Sequence, residues 1–251
     1  MLQNIDPVYF TTPVAVMLIS FIPVIYLFRK RKLSTRIMFY AFIAYFSAIA
    51  LKTVVQELTL NYVQHMMNTY LLGFYYGVQT SIFEVGIAYL VVNHYRENVN
   101  YEDALGYGLS LGMWENGVLI AIPLLLDYTV YYIMIPRSQE LYSILIKEAP
   151  SLFLPVSLAL QIVGFSILER VSSMLLHISW GYLTVLAALT GRKVYVIYGM
   201  AIGFTDFLVP FEEILGLAAF ETIVFIMAAS AFAFTYYISL KNKKQGRESN
   251  L

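Results

Sequence analysis

Cysteine is absent from the 251 residues. That excludes disulfides, thiolate metal sites and cysteine nucleophiles together. Charge is scarce as well: Asp, Glu, Lys and Arg make up 13% of the chain, against about 25% in soluble domains. The 16 basic and 16 acidic residues cancel, so the overall balance favours no nucleic-acid partner. Histidine occurs three times and the HExxH pattern nowhere, which excludes the helix-borne histidine pair of one class of zinc protease. No linker, low-complexity tract or fixed-period repeat divides the chain. A single transmembrane domain over residues 1–240 and a polar, disordered cytoplasmic tail over 241–251 are therefore expected, the tail's basic residues resting on anionic lipid headgroups.

What remains is apolar. Hydrophobic residues reach 59% and the mean hydropathy is +0.69. A spanning helix needs about 20 mostly apolar residues, and on that length the sequence predicts an all-α, polytopic helical membrane protein with about seven transmembrane helices. They fall at 11–28, 36–58, 69–93, 104–126, 163–190, 194–214 and 216–239. The basic cluster follows the first apolar run, so that run is expected to stay as a helix instead of being cleaved. An outside N-terminus puts Arg29, Lys30, Arg31, Lys32, Arg36, Arg96, Arg192, Lys193, Lys241, Lys243, Lys244 and Arg247 inside, leaving Lys52, Arg137 and Lys147 outside. The positive-inside rule then gives N-terminus out and C-terminus in. Pro150 and Pro155 argue against one helix through the long stretch from Asp127 to about Gln161, which reads as external or partly re-entrant.

The informative residues are the polar ones that the spans retain. Glu84, Glu115 and Asp206 fall within the third, fourth and sixth spans, and Glu169, Arg170 and His177 within the fifth. An ionisable group near the bilayer centre costs about 2.5–3.5 kcal/mol on insertion scales, so each should face protein or water. Six on four helices suggest a shared polar cavity. Glu169 and Arg170 point about 100° apart and are not expected to neutralise each other, so Arg170 needs a partner elsewhere. Ser173 and Gly181 share the face of His177, and Gly108 and Gly112 form a GxxxG pair near Glu115; both arrangements allow close helix approach.

Protease chemistries can be tested against this inventory. His65 and His94 sit in loops or at span ends, so only His177 is deep enough to bind a central metal, and no metal and no cofactor are expected. One intramembrane aspartate does not make an aspartyl dyad, and no GxSx elbow followed by a suitable base is present. A glutamate-based site survives, in which a carboxylate activates water and a polar neighbour stabilises the oxyanion. A proton-linked carrier or channel remains open on the same residues.

"ERVSSMLLHIS" at 169–179 resembles the ER-x6-H motif of the YhfC family of intramembrane peptidases, a branch of the CAAX-protease-like superfamily. "LLHISWG" at 175–181 is also similar to the Aph scaffold subunit of gamma-secretase, which shares that superfamily without being a protease. "IFEVGIAYL" at 82–90, "GYGLSLGMWEN" at 106–116 and "IYGMAIGFTDF" at 197–207 resemble the other family motifs in order. Phe83 and Ile87 depart from an expected glutamate and arginine, and Leu111 stands at a histidine position. The resemblance implies a peptidase of the cell membrane acting on a transmembrane or lipidated protein. It assigns Glu84, Glu115 and His177 to catalysis, with Glu84 as base and His177 at the oxyanion, and Glu169, Arg170 and Asp206 to support. A catalytically degenerate scaffold that holds a partner's transmembrane helix is the alternative it leaves open.

Overall fold

In the computed structural model, residues 3–66 and 68–248 are described, the side chains of 60, 64–66 and 243–248 excepted. His65, Lys243, Lys244 and Arg247, which the sequence reading assigned to span ends or the inner side, therefore have side chains outside the described residues. Among those described, helix dominates and no strand occurs. The chain runs through α1 (Thr11–Arg29), α2 (Thr35–Met66) and α3 (Thr69–Gln79). A π-helical turn, Thr80–Gly86, then leads into α4 (Ile87–His94). After α5 (Asp103–Gly112) a second π segment, Met113–Ala121, continues into α6 (Ile122–Met134). The short α7 (Gln139–Glu148) precedes the long α8 (Val156–Thr190) and α9 (Val194–Gly203). A 3-10 segment, Phe204–Phe211, the single turn α10 (Glu212–Leu215) and α11 (Leu217–Glu248) complete it.

Six of these runs are long and apolar enough to cross a membrane: Pro7–Arg29, Thr35–Thr59, Asp103–Arg137, Val156–Thr190, Val194–Leu215 and Leu217–Asn242. The chain is an integral membrane protein lodged in a lipid bilayer. The third span of the sequence reading corresponds to the helical stretch from Thr69 to His94, which is not among the six. Gln79, Thr80, Ser81 and Glu84 make it polar, and all four are buried.

Two boundaries move. The fourth helical run extends to Arg137 and the fifth starts at Val156, each spanning 35 residues. At about 1.5 Å per residue, such runs outreach a hydrocarbon core of about 30 Å. Asp127 does not end its helix, where its side chain is exposed on the surface of the bundle. The expected break at the prolines does occur, with Pro150–Phe153 in a 3-10 turn and Pro155 extended before α8. The projecting ends gather a small second core from Ile5, Tyr9, Ile135, Leu145 and Leu152, under which Ala159 and Val163 of α8 pack. The helix α11 is described as far as Glu248.

The main core joins α1, α2, α4, α5, α8 and α11. The helices α5 and α8 approach closely in it: a Cβ on Gly181 would lie 2.5 Å from the Gly108 Cα, and a Cβ on Gly108 2.7 Å from the Ile178 Cα. Only glycine at both positions lets the backbones meet so closely. That contact sets Glu115, just beyond α5, beside the buried middle of α8.

Candidate functional site

Both central carboxylates sit on the wide π turns. Glu84 lies in the first and Glu115 in the second. Such turns are rare, and they recur at functional sites. They direct the two side chains at one imidazole: His177 Nε2 is 2.9 Å from Glu115 Oε2 and 3.7 Å from Glu84 Oε2. Glu84 is 8% exposed and His177 2%. The three residues line a cavity of about 320 Å³ together with Lys52, Arg170 and Asp206.

Each member of the trio is held from behind. His177 Nδ1 is 2.9 Å from the Ser173 carbonyl oxygen. A carbonyl only accepts, so Nδ1 carries the hydrogen and donates it. The ring is also packed between Trp180, with centroids 4.3 Å apart, and the edge of Tyr45 at 6.0 Å. Glu115 Oε1 accepts from Ser173 Oγ at 3.1 Å and from Arg170 Nη1 at 3.4 Å, and Arg170 donates further to Asn116 Oδ1 at 3.2 Å. Glu84 Oε1 accepts from Lys52 Nζ at 2.7 Å. Lys52 also reaches Thr80 Oγ1 at 2.8 Å and lies 3.5 Å from Asp206 Oδ2, while Thr80 donates to Asp206 at 2.5 Å.

The six residues singled out in the sequence all line this cavity, but in two groups. Glu84, Glu115 and His177 converge directly. Asp206 joins through Lys52 and Thr80, and Arg170 through Glu115. Glu169 lies at the open edge, 43% exposed in its side chain, and pairs with Arg170, contrary to the expectation from their 100° offset. The guanidinium ends a long flexible arm, so it can swing back to a neighbour whose Cβ points elsewhere. Lys52, not singled out as a site residue in the sequence, also lines the cavity and pairs with Glu84, because an ammonium within an apolar helix is stable only beside an anion. The signal was its isolation in "SAIALKTVVQ" at 47–56. Glu221, in "AAFETIVF" at 218–225, is a further intramembrane acid that the sequence reading passed over; it is 3% exposed and its Oε2 has no hydrogen-bond partner among the described residues.

A helical bundle spanning a bilayer around a buried carboxylate–imidazole cluster is an integral membrane protein with a candidate hydrolytic centre. Residues 15–229 match the sequence profile of the family described as YhfC intramembrane metalloprotease. That match covers most of the chain, which belongs to the YhfC family. No curated protein and no solved structure matches it.

The family description implies a metal ion, and the donor set can be tested for one. One ligand atom each from Glu84, Glu115 and His177 lie within 4.8 Å of one another. With the hydrogen on Nδ1, a neutral His177 turns a bare lone pair on Nε2 toward two carboxylates. Such an arrangement is repulsive until a cation, a proton or a metal ion, sits among them. The nitrogen has no hydrogen-bond partner, since the nearby carboxylate oxygens lie off its line. Charge points the same way. Glu84, Glu115, Glu169 and Asp206 face only Lys52 and Arg170 as permanent cations around the cavity, a deficit that one divalent ion offsets. The residues fit a metal. None is expected from the sequence, because HExxH is absent and only one histidine lies deep in a span; here the ligands come from three separate helical segments.

Proposed function

We propose that this protein is an intramembrane endopeptidase that hydrolyses a peptide bond of a transmembrane or lipidated protein. The convergence of Glu84 and Glu115 on His177 in a buried cavity is the observation that carries this reading. A water molecule adds its oxygen to the scissile carbonyl carbon while a carboxylate, Glu84, takes its proton. That proton then passes to the departing nitrogen as the C–N bond breaks. Lys52 holds Glu84 through Oε1, which leaves Oε2 to face the reacting centre. Arg170 and Ser173 fix Glu115 likewise, and His177, when a second proton on Nε2 makes it an imidazolium, stabilises the oxyanion. A divalent cation, if held by Glu84, Glu115 and His177, would take over those two roles of Glu84 and His177, supplying Lewis-acid polarisation of the carbonyl and a more acidic bound water. N-terminus outside, C-terminus inside and residence in the cell membrane complete the proposal.

The test is cleavage of a single-span reporter protein in proteoliposomes. Wild type is expected to cut, and Glu84→Gln, Glu115→Gln and His177→Ala to lose at least about 100-fold in rate, the lower range of general acid–base contributions. Cutting by all three variants at the wild-type rate overturns the reading. Capture of the reporter without cleavage supports the scaffold alternative in its place.

A further inference from the structure

A second polar cleft lies at the end of the bundle where α1 turns into α2, walled on its far side by the approach to α5. It encloses about 680 Å³ and is lined by Arg29, Arg31, Lys32 and Arg36. We infer that this cleft binds the phosphorylated headgroup of an anionic lipid.

The cations are uncommitted. None of the four has a carboxylate within 4 Å among the described residues. Lys30, the fifth basic residue of the turn, lies over the Tyr26 ring at 5.9 Å instead. Two acids do line the cleft, Glu102 and Asp103. Asp103 is buried, its Oδ2 accepts from the Asn100 backbone at 2.9 Å, and its charge acts on Arg36 from beyond ion-pair distance. Four positive charges against two negative ones leave a surplus that suits a phosphate dianion. Neutral donors complete the set. Ser34 Oγ accepts from Ile37 N at 3.3 Å and keeps its hydrogen to give. Asn100 Oδ1 accepts from Glu102 N at 2.8 Å and Asp103 N at 3.2 Å, which leaves its amide NH₂ for a ligand.

The cleft is built, not a loose basic loop. Leu33 is 4% exposed and plugs the turn onto α5, where a Cβ on Gly106 would lie 2.6 Å from its Cδ1. Lys32 N donates back to Leu27 O at 2.9 Å. Arg31 has φ of 56°, a left-handed conformation that glycine adopts without strain and arginine does not. A topology signal needs only charge in the loop. It needs neither a plugged turn nor an arginine at the one position where glycine fits best.

The position selects a lipid over a soluble phosphate. Phe28 forms part of the wall, and Ile25, Tyr26, Phe28 and Phe39 are exposed along the adjoining α1 and α2 surface. A headgroup in the cleft would leave its acyl chains along this apolar strip. Guanidinium groups suit the phosphate monoester because their planar forks match its oxygens in pairs.

The experiment places the full-length protein in phosphatidylcholine nanodiscs carrying either phosphatidate or phosphatidylserine at equal total charge. Retained lipid is read by native mass spectrometry, with inorganic phosphate as competitor. Preferential retention of phosphatidate is expected. Arg31→Gln and, separately, Arg36→Gln should each lower it about fivefold, the effect of one cation near a membrane surface. Arg31→Lys should lower it too, since the fork is lost with the charge kept. Retention that follows total charge alone, with Arg31→Lys silent, means diffuse attraction and overturns the proposal. Loss of preference together with full displacement by phosphate overturns the lipid as occupant. None of the altered side chains has an ion-pair partner among the described residues, so the variants are expected to fold, and the peptidase reading plays no part in either outcome.

Discussion

The Lys52 ammonium lies 2.7 Å from the Glu84 carboxylate and ties α2 to the first π turn. Neither charge is stable there alone. Removing one partner of a buried ion pair costs about 3–5 kcal/mol, largely from the charge left behind. Lys52→Met should therefore destabilise the protein by that order in detergent unfolding, and Lys52→Met with Glu84→Met should recover most of it. A single variant as stable as wild type would show that water already solvates Glu84.

Metal binding should map onto the trio. Equilibrium dialysis against Zn²⁺ is expected to give one ion per chain at saturation. Glu115→Gln or His177→Ala should weaken it by at least about the 10- to 100-fold that loss of a ligand's supporting partner costs. Unchanged stoichiometry and affinity in both variants would move the metal elsewhere.

Arg170 donates to both Glu115 and Asn116 from one guanidinium nitrogen. A lysine ammonium at the same position cannot reproduce that reach and plane together with the Glu169 contact. Losing one charge-assisted hydrogen bond costs about 1.5–3 kcal/mol, so Arg170→Lys should slow reporter cleavage roughly 10- to 100-fold. Cleavage at the wild-type rate would reduce Arg170 to a counter-charge that any cation can replace.

The α5–α8 contact gives a paired test within one helix. Gly181→Ala places a methyl 2.5 Å from the Gly108 Cα, whereas the same change at Gly164 meets nothing within 4 Å. The first should destabilise by about 1–3 kcal/mol through overpacking. The second should be neutral or stabilise by up to about 1 kcal/mol through helix propensity. Equal thermal shifts for the two would disprove the close approach.

Glu221→Leu should leave stability unchanged or raise it, because its buried Oε2 lacks a hydrogen-bond partner and an apolar replacement removes the desolvation cost of about 1–3 kcal/mol. A clear loss in the same unfolding assay would reveal a partner such as water that Glu221 needs.

The sequence was most legible where chemistry is local. Apolar run length marked the membrane helices, and the isolation of Glu84, Glu115, Arg170 and His177 within those runs marked the residues that the fold gathers. What one helix cannot show is which face another turns toward it. The Lys52–Glu84 pair and the Asn116–Ser173 hydrogen bond, at 3.0 Å, each join different helices and leave no periodic trace. Leu111, at a position where the family resemblance expects histidine, is buried against the Gly181 side of α8 and does not line the cavity. Helix ends were legible only within the membrane, because their projecting turns are stabilised by the small outer core around Tyr9 and Ile135.

The π turns give the carboxylates a property that uniform α-helices would lack. A turn closed between residues five apart, instead of four, takes up more chain for the same sweep around the axis. Tightening either turn to α-geometry would shift the register of the downstream helix by one residue, about 100° of rotation. Glu84 and Glu115 thus owe their mutual aim to chain length as much as to side-chain identity. Loss of one amino acid beside Glu84 in Thr80–Gly86 or beside Glu115 in Met113–Ala121 would turn that carboxylate away from His177 while every helix survives.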